Sequence, residues 1–160
     1  MLSEPAEGSV HTGARAEVLA NRIRPGEKRD LLGVATIQKA CPEASQWEVA
    51  EYLGYNFLVS DAENRIAGFV VSRDLEAGEH EVLNLAVSPE CRRQGVARGL
   101  MAALMAEDAG AIFLEVRESN LAAREFYKSI GFKEIGLRPR YYDTPNQASE
   151  SAIVMKFHSC

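Results

Sequence analysis

The stretch Leu83–Met101, LNLAVSPECRRQGVARGLM, changes character twice. Its first five residues are apolar except for Asn84 and read as a strand. Ser88 and Pro89 turn the chain, and from Gly95 the apolar residues Val96, Leu100, Met101, Leu104 and Met105 recur on one helical face. The methionines read as core. Between strand and helix lie Arg92, Arg93, Gln94 and, one turn on, Arg98. The first amides of a helix have no intrahelical acceptor and stand at its positive end, so this junction is suited to an anion. Gly95 and Ala97 leave the backbone uncovered, and the arginines add charge-assisted hydrogen bonds, a combination that suits a pyrophosphate. The spacing is neither that of a Walker loop nor that of a dinucleotide fingerprint. A basic helix start with one glycine is also, by itself, an ordinary solvated turn, so the reading depends on what surrounds it.

The chain of 160 residues is long enough for one buried core and too short for two. Hydrophobic residues make up 46%, which argues against disorder or a fibrous repeat. With 18 basic and 23 acidic residues the formal charge is −5, so neither nucleic acid nor a membrane surface is expected as a partner, since both need a broad basic face. Cys41, Cys91 and Cys160 form no CxxC pair, so no disulfide framework and no metal site are expected. The start of the chain lacks an apolar signal region, and nowhere do the roughly 18 consecutive apolar residues of a membrane span occur. A cytoplasmic protein, monomeric or weakly dimeric, is the expectation. Residues 1–15 read as a disordered tail and residues 16–158 as a single domain.

Outward from the opening stretch, VLANRIR reads as a first strand and EKRDLLGVATIQKA as a helix, broken at Pro42. WEVAEYLG reads as a second, short helix. YNFLVSD and RIAGFVVSRD form a hairpin about Ala62–Asn64, followed by the strand EHEVLNLAVS. After the helix that starts at Gly95, with Gly110 as its expected stop, AIFLEV is nearly all apolar, as a strand buried on both faces would be. NLAAREFYKSIGF is a helix stopped by Gly131; FKEIGL and SAIVMKF complete the sheet, with RPRYYDTPNQASE as a loop between them. The order is β-α-α-β-β-β-α-β-α-β-β: an α/β (α+β) fold with a central mixed, mostly antiparallel sheet of about seven strands and about four helices.

Two motifs in this order, LNLAVSPECRRQGVARGLM and LEVRESNLAAREFYKSIGF, resemble the acetyl-coenzyme A core of the GNAT N-acetyltransferase superfamily, over roughly Val18 to Phe157. Arg92, Gly95 and Ala97 match the family signature [RQ]-x-x-G-x-[GA]. PEASQW, LEVRESNLAAREFY, RYY and ESAIVM are similar to the ribosomal-protein-alanine N-acetyltransferases (RimI type). Ser151 departs from that type, which commonly has an acidic residue there. The resemblance implies acetyl-CoA as co-substrate, no metal, and a protein or peptide N-terminus as acceptor, a small-subunit ribosomal protein beginning with alanine. It also implies that Leu85, Ala86 and Val87 pair through their backbone with the pantetheine arm, and that Arg92, Arg93, Gln94, Gly95, Val96, Ala97 and Arg98 hold the pyrophosphate.

Acetyl transfer from a thioester to an amine needs a neutral nucleophile, a polarised carbonyl and a protonated leaving thiolate. Glu115, a carboxylate inside an apolar strand, is either a general base or a strand-end charge paired with Arg117 or solvated; the resemblance makes it the base. Glu81 is its rival: by resemblance it falls where the histone acetyltransferases of the superfamily carry their catalytic carboxylate, and by alternation it shares a face with Leu83, Leu85 and Val87, though it also reads as a plain edge charge. His80 beside it reads as exposed. Tyr127 shares an apolar face with Ala123 and Ile130 and reads as a core tyrosine or, by resemblance, as the general acid. Asn120 is a helix cap that the resemblance also places on coenzyme A. Tyr141 and Tyr142, with Trp47 across the slot, are the expected acceptor grip, although a Tyr-Tyr pair before a loop also reads as a cover for the sheet end. Two other functions stay open: transfer to a small-molecule amine or lysine side chain, and coenzyme A binding without chemistry.

Overall fold

The computed structural model describes residues 22–107, 110–142 and 149–158. The proposed tail, residues 1–15, and the start of the first predicted strand lie outside the described residues. Seven strands form one sheet: β1 (Ile23–Pro25), β2 (Asn56–Ala62), β3 (Arg65–Asp74), β4 (His80–Val87), β5 (Ala111–Arg117), β6 (Lys133–Tyr142) and β7 (Glu150–His158). Their spatial order is β1-β2-β3-β4-β5-β7-β6. The described α-helices are α1 (Leu31–Ala40), α2 (Val96–Ala106) and α3 (Leu121–Ser129), and the predicted second helix is a 3-10 helix over Val49–Gly54. The expected fold class and element order are therefore present.

The hairpin between β2 and β3 turns on Glu63 and Asn64, both at positive φ (51° and 65°), the backbone a two-residue turn needs to match the twist of its strands. On one face of the sheet Val70, Val82, Leu114, Val116 and Met155 pack with Leu100, Met101 and Leu104 of α2 and Tyr127 of α3. On the other, Val59, Phe69, Val71 and Ala86 pack with Val34 and Ile37 of α1 and with Tyr52.

Three expectations are corrected. AIFLEV is not buried on both faces: Leu114 and Val116 are buried, but Phe113, Glu115 and Arg117 alternate with them as half-buried residues. The helix from Val96 ends at Ala106, short of Gly110, because Glu107 takes an extended backbone. Arg138–Tyr142 is not loop but the end of β6, paired to β7 at Arg138↔Ala152 and Tyr142↔Glu150. β6 is the outermost strand, where the N–H that Pro139 lacks is tolerated, and the register shifts between Arg138 and Tyr142.

Candidate active site

β4 and β5 are parallel neighbours at only two positions, His80↔Ile112 and Glu81↔Phe113. Beyond them the strands part and open a cleft of about 360 Å³, lined on one side by Leu83–Val87 and on the other by Leu114–Arg117. A bulge shapes the first wall: Val71 pairs with Asn84 and Ser72 with Val82, so Leu83 has no partner on β3. The extra residue reverses the alternation. Leu83 packs with the α1 face, whereas Leu85 and Val87 pack with the α2 face. The expectation that Glu81 shares a face with Leu83, Leu85 and Val87 is thus corrected; simple period-two counting cannot see a bulge. Glu81 is ion-paired to Arg73 at 2.7 Å, and the cleft is lined by Glu115 and not by Glu81. His80 is mostly buried rather than exposed, with Nδ1 2.9 Å from Asp74 Oδ1.

Past the open end of β4, a 3-10 turn over Pro89–Cys91 leads into α2. Arg93 and Gly95 take the left-handed conformation (φ 64° and 77°), and the first helical closure is Gly99 N–H to Gly95 C=O at 2.9 Å. Among the described residues the amides of Gln94, Gly95, Val96, Ala97 and Arg98 have no protein acceptor. A Cβ on Gly95 would meet nothing within 4 Å, so the space above this turn is open. Such a row of free donors at a helix start fits a phosphate group. Two of the three arginines are engaged elsewhere, Arg92 with Nη2 3.1 Å from Glu43 Oε1 and Arg98 donating to Ser129 Oγ at 3.2 Å, while Arg93 is exposed. Arg92 and Ala97 line the cleft.

Glu115 is held by Arg138, whose Nη2 is 3.0 Å from Oε1; Arg117, one of the partners the sequence left open for it, pairs with Glu150 at 3.4 Å. Tyr141 also hydrogen-bonds to Glu115, and the Arg138 guanidinium lies 4.9 Å from the centroid of its ring. Burial and the nearby Glu115 charge push the Tyr141 phenol above its ordinary range. The side chain of Tyr142 lies outside the described residues. Trp47 does not line the cleft: its ring packs 6.5 Å from Tyr52 and 6.4 Å from Tyr55, in the aromatic layer under α1.

Tyr127 is buried yet borders the cleft. Its position follows from how α3 ends. Gly131 N–H bonds to Lys128 C=O and Phe132 N–H to Tyr127 C=O, the paired closure of a Schellman motif, which the positive φ of Gly131 (105°) makes possible. The same turn sets the Phe132 ring 5.5 Å from that of Tyr127. At the other end of α3, Asn120 Oδ1 accepts from Ala123 N–H at 3.2 Å, and Asn120 also lines the cleft. Glu150, which the sequence did not single out, accepts from the Ser119 amide at 2.7 Å, and hydrogen bonds from the Ser119 side chain first and from that amide second hold its carboxyl below the usual range. It stands one residue before Ser151, where an acidic residue was missing.

The Acetyltransferase (GNAT) family model matches residues 27–132, which span the splayed strand pair and the free helix start. The chain belongs to that family and is an N-acetyltransferase. It is 34% identical over 113 residues to a [Ribosomal protein bS18]-alanine N-acetyltransferase of Haemophilus ducreyi, covering 68% of this chain and 75% of that protein. A relative of the same name from Salmonella typhimurium is 35% identical over 121 residues, 70% of this chain and 80% of that one. Among solved structures, the ribosomal-protein-S18-alanine N-acetyltransferase from Escherichia coli superposes with a TM-score of 0.74 at 29% identity, covering 86% of this chain and 92% of the other. Chaetomium thermophilum Naa20, solved with a bisubstrate analogue, gives 0.73 at 26% identity and 86% coverage of both.

Proposed function

We propose that the protein transfers the acetyl group of acetyl-CoA to the α-amino group of an N-terminal alanine, in a small-subunit ribosomal protein. One observation carries the reading: Glu115 and Tyr127 border one cleft, which the Arg92–Arg98 turn continues. The names of the Haemophilus and Salmonella relatives support the acceptor. In this reading the diphosphate rests on the amides of Gln94–Arg98, and the pantetheine arm lies along Leu85–Val87, whose main-chain groups face it where a neighbouring strand would sit.

An α-amino group titrates at about 7.7–8.0, so modest proton acceptance is enough to free its lone pair near neutrality. With the lone pair free, the neutral nitrogen attacks the thioester carbonyl, and Glu115 takes the N–H proton that the nitrogen sheds in becoming an amide, directly or through a water. A main-chain amide near the β4 bulge stabilises the oxyanion. The C–S bond then breaks, and Tyr127 gives its phenolic proton to the departing thiolate. The products are the N-acetylated terminus and coenzyme A. Tyr141, on β6, flanks the acceptor backbone.

An acceptor panel tests this. Alanine-initiated peptides from ribosomal protein sequences should release free thiol from acetyl-CoA at least tenfold faster than lysine side chains, polyamines or amino sugars. Equal or greater turnover of those amines overturns the acceptor assignment, and tight coenzyme A binding with no turnover of any amine reduces the protein to a binding module.

A further inference from the structure

The Asn84 carboxamide, in the bulge of β4, is one of few buried polar side chains among the described residues, at 6% exposure. Burying an amide is costly unless each polar atom finds a partner, and this one is fully engaged. Its Nδ2 donates to Ser45 C=O at 2.9 Å and to the Tyr52 hydroxyl at 3.0 Å, with Gln38 Oε1 at 3.3 Å; its Oδ1 accepts from Ser45 N–H at 3.3 Å. Asn84 therefore brackets the main chain of Ser45 as a neighbouring strand would. Behind it, the Tyr52 hydroxyl donates to Gln38 Oε1, and Gln38 Nε2 donates to Trp47 C=O at 2.6 Å. Gln46 Nε2 faces the carbonyls of Gln38, Cys41 and Ala44 at 3.0–3.2 Å, so the whole 41–47 loop is clasped.

This knot belongs to the cleft. Cys41, Glu43, Ala44 and Ser45 line it together with Leu83–Val87. The bulge and the bracket specify each other: with Leu83 inserted, Asn84 points to the α1 layer, and only there does it find Ser45, Tyr52 and Gln38. We infer that Asn84 is a positioning residue for acetyl transfer, which fixes the β4 bulge and the 41–47 loop as one rigid wall between which thioester and acceptor amine meet. The inference rests on the proposed reading of the cleft as the transfer site. It acts through main-chain placement and not by touching the reacting atoms, so it bears on the transfer step and spares the phosphate end.

Asn84→Asp keeps the shape and removes the Nδ2 donors; Tyr52→Phe removes the support behind Asn84 and leaves the cleft lining intact. Each is assayed with an alanine-initiated peptide beside the wild type at a temperature well below its own Tm, with acetyl-CoA affinity measured by calorimetry. A misplacement of about 1 Å costs on the order of 100-fold in rate, so kcat is expected to fall about 30- to 100-fold in Asn84→Asp and about 3- to 10-fold in Tyr52→Phe, with acetyl-CoA Kd within threefold of wild type. If Asn84→Asp does not fold, Tyr52→Phe alone decides by the same split. Variants that keep wild-type kcat, or whose rate falls only in step with lost acetyl-CoA affinity, overturn the inference. A wild type that acetylates lysines or polyamines but not the peptide overturns the proposed acceptor instead, and the same kcat-against-Kd comparison is then read on that amine.

Discussion

The two walls of the cleft work by different means. The β5 side presents side chains: Glu115 from the strand, Asn120 and Tyr127 from α3. The β4 side presents main chain, from the bulge at Leu83 through Val87 to the open amides of Gln94–Arg98. Its side chains serve mainly to hold that backbone still, through the Asn84 bracket and through Arg92, which ties the turn before α2 to Glu43 on the 41–47 loop. The contrast teaches where substitutions should act. A side-chain wall fails at single atoms, whereas a main-chain wall fails when its conformation or its clasp is changed.

The largest effect is expected on the side-chain wall. General-base or general-acid assistance is worth about 10²–10⁴ in rate, so Glu115→Gln should lower kcat/KM for an alanine-initiated peptide by at least about 100-fold, and Tyr127→Phe by a similar or smaller factor. Acetyl-CoA affinity should hold within threefold in both. Stopped-flow or steady-state thiol release measures the first quantity and calorimetry the second. Wild-type turnover in both variants removes these catalytic roles and leaves the fold untouched.

The main-chain wall should break differently. Gly95 has φ of 77°, where a β-branched residue is strained by roughly 1–2 kcal/mol, but a side chain there meets no protein atom within 4 Å. Gly95→Val should therefore lower stability by about 1–2 kcal/mol in the free protein and weaken acetyl-CoA binding by more than tenfold, since the new side chain projects into the space assigned to the diphosphate. Loss of stability with unchanged affinity places the cofactor elsewhere.

The same division explains what was legible in the sequence. The free amides and Glu115 announce themselves because their chemistry is out of place locally: a glycine and arginines at a helix start, a carboxylate in an apolar strand; Tyr127 reads as a core tyrosine, and only the resemblance singles it out. The bulge has no residue of its own; it is a relation between β3 and β4, and Glu81 was misassigned to the face of Leu85 for that reason. Asn84 did leave a signal, a lone amide inside LNLAV, but its partners Ser45 and Tyr52 are 39 and 32 residues away. Arg138 was hidden by the apparent loop around Pro139, and its contact with Glu115 reaches across β7, which no periodicity predicts. Trp47, expected across the slot from Tyr141 and Tyr142, packs its ring against Tyr52 and Tyr55, 5 and 8 residues along the chain, a contact that no motif in the sequence marks.

The smallest effect tests whether a polar clasp far from the cleft acts on stability alone. Asp30, 5% exposed, accepts two bonds from Arg24 at 2.8 and 2.9 Å, and Arg24 also reaches Asp61 at 3.2 Å, joining β1, β2 and the turn before α1. The bond from Arg24 is the chief cause holding the Asp30 carboxyl below its usual range. A depressed carboxylate contributes stability that is present above the unfolded value, about 3.9, and is lost as pH falls through the lower folded value. Wild-type Tm should therefore drop more steeply on acidification below about pH 4.5 than that of Asp30→Asn, while at neutral pH the variant is less stable by about 1–2 kcal/mol, the modest figure reflecting the partial exposure of Arg24. Turnover at 25 °C should stay within twofold, because Asp30 braces the β1 edge and neither wall of the cleft. An activity loss as large as that expected for Asn84→Asp would mean that the sheet transmits strain from its edge to the bulge, and the two kinds of polar clasp would then be one.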